Sequence, residues 1–86
     1  MYQVEFQRAA KRALDSLPKA DGDRVTLAIA SLRGDPRLNA RKVIGSRDLY
    51  RIRVGRYRAI FQIAEAEKKV IVVRVARRSE STYRGL

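Results

Sequence analysis

The chain of 86 residues has no cysteine and no histidine. That excludes disulfides, thiolate nucleophiles, Ser-His and Cys-His catalysis, and the usual zinc ligand sets. Any chemistry has to run on Arg, Lys, Tyr, Asp, Glu, Ser or Thr. Acid is scarce as well: 9 Asp plus Glu stand against 20 Lys plus Arg, a net charge of +11. So large a charge on so small a surface points to a polyanionic partner, nucleic acid first. No apolar run approaches the roughly 18 residues of a membrane span, and Met1 to Phe6 has neither the basic nor the apolar region of a signal peptide. The expectation is a soluble, cytoplasmic protein with no membrane partner.

The residues present fit one small globular domain over 1–86, since a chain this short cannot bury two cores. A hydrophobic fraction of 45%, spread along the chain, places it outside the disordered class. Fifteen of the 20 bases are Arg. Guanidinium offers a planar fork of donors matched to phosphate oxygens, where Lys is a hydrated point charge; genomic GC content raises Arg over Lys too.

Tyr2 to Phe6 alternates as a half-buried strand does, with Tyr2, Val4 and Phe6 on one side. The period then changes to helical: Phe6, Ala10, Ala13, Leu14 and Leu17 form a stripe, Lys11 and Asp15 pair across a turn, and Pro18 ends a first helix over about Gln7 to Ser16. Asp21 or Asp23 is placed to cap a second helix with Val25, Ala28, Ile29 and Leu32 inward, Gly34 to cap its end and Pro36 to stop it. Residues 36–46 read as mostly loop. Asp48 to Val54, Tyr57 to Ile63 and Lys69 to Arg77 read as strands. The order β-α-α-β-β-β predicts an α+β fold, a mainly antiparallel twisted sheet with a two-helix hairpin on one face.

Gly55-Arg56 suits a two-residue type II′ hairpin turn. Val54 then faces Tyr57, Arg53 faces Arg58, Ile52 faces Ala59, Arg51 faces Ile60 and Tyr50 faces Phe61. Cross-strand partners share a face, so Tyr50, Ile52, Val54, Tyr57, Ala59, Phe61 and Ile63 make an apolar side, and Arg51, Arg53 and Arg58 share the other. For the last strand, a register with Glu65 opposite Lys69, Ile63 opposite Ile71, Phe61 opposite Val73 and Ala59 opposite Val75 keeps the core apolar. It adds Val72, Arg74 and, if the strand continues, Arg78 to the arginine face. The outer face of any one-sided sheet is polar, but this one has almost no acid to interleave its cations, and like charges repel unless a polyanion offsets them. Arg77, Arg78, Tyr83 and Arg84 close the chain with the cations and ring that can hold a phosphate and stack a base. Tyr2, Phe6, Tyr50 and Phe61 read as core, and Lys68-Lys69 with Glu65 and Glu67 as a solvated turn.

The run Lys42-Val-Ile-Gly-Ser-Arg-Asp-Leu-Tyr-Arg-Ile-Arg-Val-Gly-Arg-Tyr-Arg-Ala-Ile-Phe-Gln-Ile63, then Val73-Arg-Val-Ala-Arg-Arg78 and Tyr83, resembles the RelE/ParE superfamily of toxins, on its RelE side. The opening strand, Leu17-Pro18 and Asp35-Pro36-Arg37 extend the resemblance over nearly the whole chain. It implies a RelE-like, microbial-RNase-like fold and a toxin of a type II toxin–antitoxin pair, held silent by an acidic cognate antitoxin. It further implies an mRNA endoribonuclease acting in the ribosomal A site: the ribose 2′-hydroxyl attacks the adjacent phosphate, leaving a 2′,3′-cyclic phosphate and a 5′-hydroxyl, with no metal and no small-molecule cofactor.

By the same resemblance, Arg51 and Arg53 fall on basic second-strand positions, Arg58 on the Arg that contacts the scissile phosphate, Arg78 on the Arg after the last strand with Arg77 its rival, and Tyr83 on the base-stacking C-terminal Tyr. Together these are the implied catalytic set; Arg74 from the strand alternation and Arg84 from the basic, aromatic tail join Arg51, Arg53, Arg58, Arg77 and Arg78 as the candidate RNA-binding set. Where better-known RelE toxins have Lys, this chain has Arg at 51 and 53, and guanidinium does not release its proton at useful pH. Tyr83, whose phenolate nearby cations favour, is then the first candidate for general base and Glu80 the second. Many related toxins have His where this chain has Arg77. Two alternatives stay open: a ParE-like gyrase poison of the same fold without RNA chemistry, and a non-catalytic module that binds RNA through its arginine face.

Overall fold

The computed structural model describes residues 1–78. Strand β1 (Gln3–Phe6) leads into helices α1 (Arg8–Asp15) and α2 (Lys19–Ala30), a 3₁₀ turn follows over Ser31–Arg33, and strands β2 (Arg41–Lys42), β3 (Leu49–Val54), β4 (Tyr57–Ala64) and β5 (Lys69–Arg77) complete the chain. The sheet runs β1-β5-β4-β3-β2. Only the β1–β5 pair is parallel. The α+β class is as expected, with a two-residue edge strand added where a loop was read. Two residues carry no alternation to detect, so only pairing with β3 reveals β2.

Both helices lie on one face. Ala10 and Leu14 of α1 and Val25 and Ile29 of α2 join Ile52, Val54, Tyr57, Ala59, Phe61 and Ile63 in a single buried cluster, the expected stripes and the expected apolar side. The Tyr50 and Phe61 rings stack at 6.0 Å, and Lys11 Nζ meets Asp15 Oδ1 at 2.8 Å. The second helix begins earlier than its acids indicate: Pro18 takes the N-cap position without a side-chain bond. Asp21 sits in the first turn and accepts a hydrogen bond from the Tyr57 hydroxyl at 2.9 Å, tying α2 to the start of β4. Asp23 pairs with Lys19 at 3.3 Å. Gly34 follows the 3₁₀ turn with φ −79°, so it is no left-handed cap.

The β3–β4 register is the expected one throughout, from Leu49 opposite Gln62 to Val54 opposite Tyr57. Gly55 has φ +61° and Arg56 has no positive φ, which is the type II′ arrangement. A Cβ at Gly55 would be strained and would sit 3.1 Å from Arg24 Nη1. Gly55→Ala is therefore expected to cost about 1 kcal/mol. In a thermal melt that is a fall of about 4–8 °C; an unchanged midpoint would contradict this turn geometry.

The β4–β5 register differs. Ala59 faces Val75 as expected, but Phe61 faces Val72, Ile63 faces Val70 and Ala64 faces Lys69. A bulge between Ile60 and Phe61 leaves Val73 as the extra residue. A bulge lets the inward positions change parity along one strand: Val70 and Val72 are buried before it and Val75 after it. Val72 therefore belongs to the core, not to the arginine face, while Arg74 stays outside. Pure alternation cannot reveal such an insertion, because both registers keep the core apolar.

Candidate nucleic-acid interface

The pairings define rows of side chains on the sheet face away from the helices. Across β2, β3, β4 and β5, one row reads Arg41, Arg51, Ile60, Arg74; the next toward the β3–β4 turn reads Arg53, Arg58, Ala76. The row on the other side reads Leu49, Gln62, Ile71 and, on β1, Glu5. The outer face is thus polarised along its strands, with guanidinium at the hairpin end and neutral or acidic groups at the other. Glu5 meets Lys69 at 3.0 Å and Asp48 accepts from Gln62 Nε2 at 2.7 Å.

Glu65 is held at the opposite end of β4 from the hairpin turn. Glu65, just past β4, accepts from the Tyr2 hydroxyl at 2.8 Å and pairs with Lys68 at 2.9 Å and Arg37 at 3.0 Å. Lys68, Tyr2 and Arg37, in that order, hold its carboxyl down to about 2. Hydrogen bonds to the carboxylate favour the charged form, so this acid is committed to the β4–β5 turn.

Ile60 lies on the outer face and yet is 0% exposed. Its row neighbours are Arg51 and Arg74, and Arg58 and Gln62 flank it along β4. The aliphatic stems of such long cations cover apolar surface while their heads stay wet, so Ile60 acts as the floor from which the guanidinium groups rise. Arg51 and Arg58 are half-buried, with Arg58 Nε buried, and Arg53 and Arg74 are exposed.

Beyond β5, Arg78 turns in against the hairpin. Its amide donates to the Arg56 carbonyl at 2.7 Å and its Nη1 to the Gly55 carbonyl at 3.2 Å. Arg78 therefore lies in a turn at the hairpin tip, while Arg77, opposite Tyr57, lines a groove of about 530 Å³ with Ala13, Leu17 and Tyr57 on the helix side. Arg74 and Ala76 line the same groove, so Arg77 as well as Arg78 stands close to the arginine rows. Glu80, Tyr83 and Arg84 lie outside the described residues.

Sequence reasoning missed Arg41 and Asn39. With Arg51 and Arg53 they line a groove of about 410 Å³ at the β2 edge. Among the described residues three arginines and an amide line it, a set suited to phosphate or another anion. Among the described residues no group of His, Cys, Asp or Glu could hold a metal ion, and no helix is long and apolar enough to cross a membrane.

Three solved structures share this architecture. The intact RelBE toxin–antitoxin complex of E. coli matches with TM-score 0.83 at 22% identity, over 93% of this chain and 100% of that one. The RelBE2 complex from Mycobacterium tuberculosis gives 0.80 at 26% over 90% and 98%, and the RelE–RelB complex from Pyrococcus horikoshii OT3 gives 0.77 at 28% over 93% and 98%. No curated protein sequence matches. The family model for the ParE toxin of type II toxin–antitoxin systems matches residues 4–82, which with the shared fold places the chain in that family, a type II toxin of the RelE/ParE superfamily.

Proposed function

We propose that this toxin is a ribosome-dependent mRNA endoribonuclease that cleaves in the A site and is silenced by an acidic antitoxin. The observation that carries this reading is the pair of arginine rows: Arg53 directly opposite Arg58, with Arg41, Arg51 and Arg74 in the row beside them. Opposed like charges destabilise a sheet, and an mRNA backbone supplies the offsetting charge. When the 2′-hydroxyl attacks, the phosphorane gathers negative charge, and guanidinium donors already fixed in place lower the barrier without changing protonation state. Arg58, half-buried between Arg53 and Ala76, is the donor best held for the scissile phosphate. Arg51, Arg53, Arg74 and Arg78 bind the surrounding RNA, and Arg77 and Arg84 are further contacts. No metal takes part.

Tyr83 is assigned the proton transfer, with Glu80 behind it, since Arg51 and Arg53 cannot act as bases. Tyr83→Phe is expected to lower cleavage at least about 100-fold; activity within a few-fold of wild type would reject that role. The cleavage chemistry itself is read from the fragment ends: a 2′,3′-cyclic phosphate and a 5′-hydroxyl support 2′-hydroxyl attack, and a 5′-phosphate overturns it.

A second reading is a gyrase poison without RNA chemistry, favoured by the match to the ParE family over residues 4–82. Inhibited supercoiling by purified gyrase, with intact mRNA on the ribosome, would establish it. For the antitoxin, solved relatives in E. coli, M. tuberculosis and P. horikoshii are toxin–antitoxin complexes, and a chain of +11 charge calls for a partner rich in Asp and Glu.

A further inference from the structure

We infer that the groove at the β2 edge is a second phosphate subsite, in which Arg41 and Asn39, with Arg51 and Arg53, hold the RNA backbone beside the nucleotide at Arg58. The inference rests on the RNA reading and deepens it, adding Asn39 and giving Arg41 a phosphate to hold. Arg41 and Arg51 are directly paired across β2 and β3, and cross-strand partners project side by side on one face. Among the described residues Asn39, Arg41, Arg51 and Arg53 line the groove, whose volume of about 410 Å³ falls in the range of small-ligand sites. Among the described residues neither Arg41 nor Arg53 makes an ion pair. Among the described residues no carboxylate stands on these rows, and the charge of Arg41 and Arg53 is one that a bound anion would offset.

The placement also sets direction. Inter-strand steps are about 4.8 Å, so a phosphate in this groove, lined from β3 and β2, lies one to two strands from one at Arg58. RNA lying across the strands thereby meets guanidinium on β4, β3 and β2 in turn. The Asn39 amide, both donor and acceptor, adds a group able to bond a phosphate oxygen or a 2′-hydroxyl.

The test is fluorescence anisotropy of a labelled single-stranded RNA oligonucleotide with the whole protein, over a series of salt concentrations. Wild type is compared with Arg41→Ala, Arg41→Lys, Asn39→Ala and Arg12→Ala, the last on the exposed side of α1 as a control. Arg41→Ala is expected to weaken binding about tenfold and to lower the magnitude of the salt slope by about 0.7, one phosphate's share for single strands. Arg41→Lys keeps the slope and loses part of the affinity, because the charge remains and the fork does not. Melting midpoints equal to wild type confirm that Arg41→Ala is folded. If Arg41→Ala binds and responds to salt like Arg12→Ala, the subsite does not exist. Should wild type cut no mRNA on the ribosome while Arg41→Ala still loses affinity and slope, the cleavage reading falls and the subsite stands.

Discussion

Arg58→Ala is expected to lower the rate of mRNA cleavage on the ribosome by about 100- to 1,000-fold, the usual loss when one preorganised donor to a developing oxyanion is removed. Binding to RNA should fall by no more than about tenfold, because the other cations of the face keep their phosphate contacts. The disparity between the two numbers is the informative quantity. A group that only binds phosphate stabilises ground state and transition state alike and loses both in proportion. Arg58→Lys should recover little of the rate, since an ammonium cannot present two parallel donors. Equal losses in kcat/KM and affinity would reduce Arg58 to a contact residue.

The second large effect is expected from the floor of the arginine face. Ile60→Ala should cost about 2–5 kcal/mol, because the side chain is fully buried. Phe61→Ala, equally buried on the helix side, should cost about 3–5 kcal/mol. The two differ in what survives at a temperature where both variants are still folded. Loss of Phe61 hollows the core behind the sheet, whereas loss of Ile60 removes the support under the stems of Arg51, Arg58 and Arg74. Ile60→Ala should therefore lose cleavage beyond its loss of stability, and Phe61→Ala should not. Chemical denaturation paired with single-turnover cleavage at low temperature checks this, and equal residual activity in the two variants would contradict the role given to Ile60.

How far the sequence reveals this arrangement depends on how local each cause is. Alternation from Tyr50 to Ile63 around a glycine turn yields the β3–β4 register correctly, because the turn and both strands constrain the same pairing. The opposition of Arg53 and Arg58 follows from that hairpin alone. The placement of Val72 does not, since the bulge at Val73 answers to packing among three strands and leaves no mark in hydropathy. Arg41 was hidden for a similar reason: it is carried by a strand of two residues that exists only through its pairing with β3. Asp21 looks like a helix cap because acids favour that place, yet the Tyr57 hydroxyl, 36 positions away in the chain, claims its carboxylate. The partner of Asp21 is distant in sequence, the bulge and the two-residue strand leave no periodic mark, and the opposition of Arg53 and Arg58 is legible because one glycine turn sets it.

Ribosome-dependent cleavage is tested by incubating the purified toxin with ribosomes carrying a defined A-site codon, with the same mRNA free in solution as the control. Cleavage confined to the ribosome-bound message, abolished when the acidic antitoxin is added, is the predicted result. An intact message in both samples, from protein that arrests growth when expressed, would contradict it.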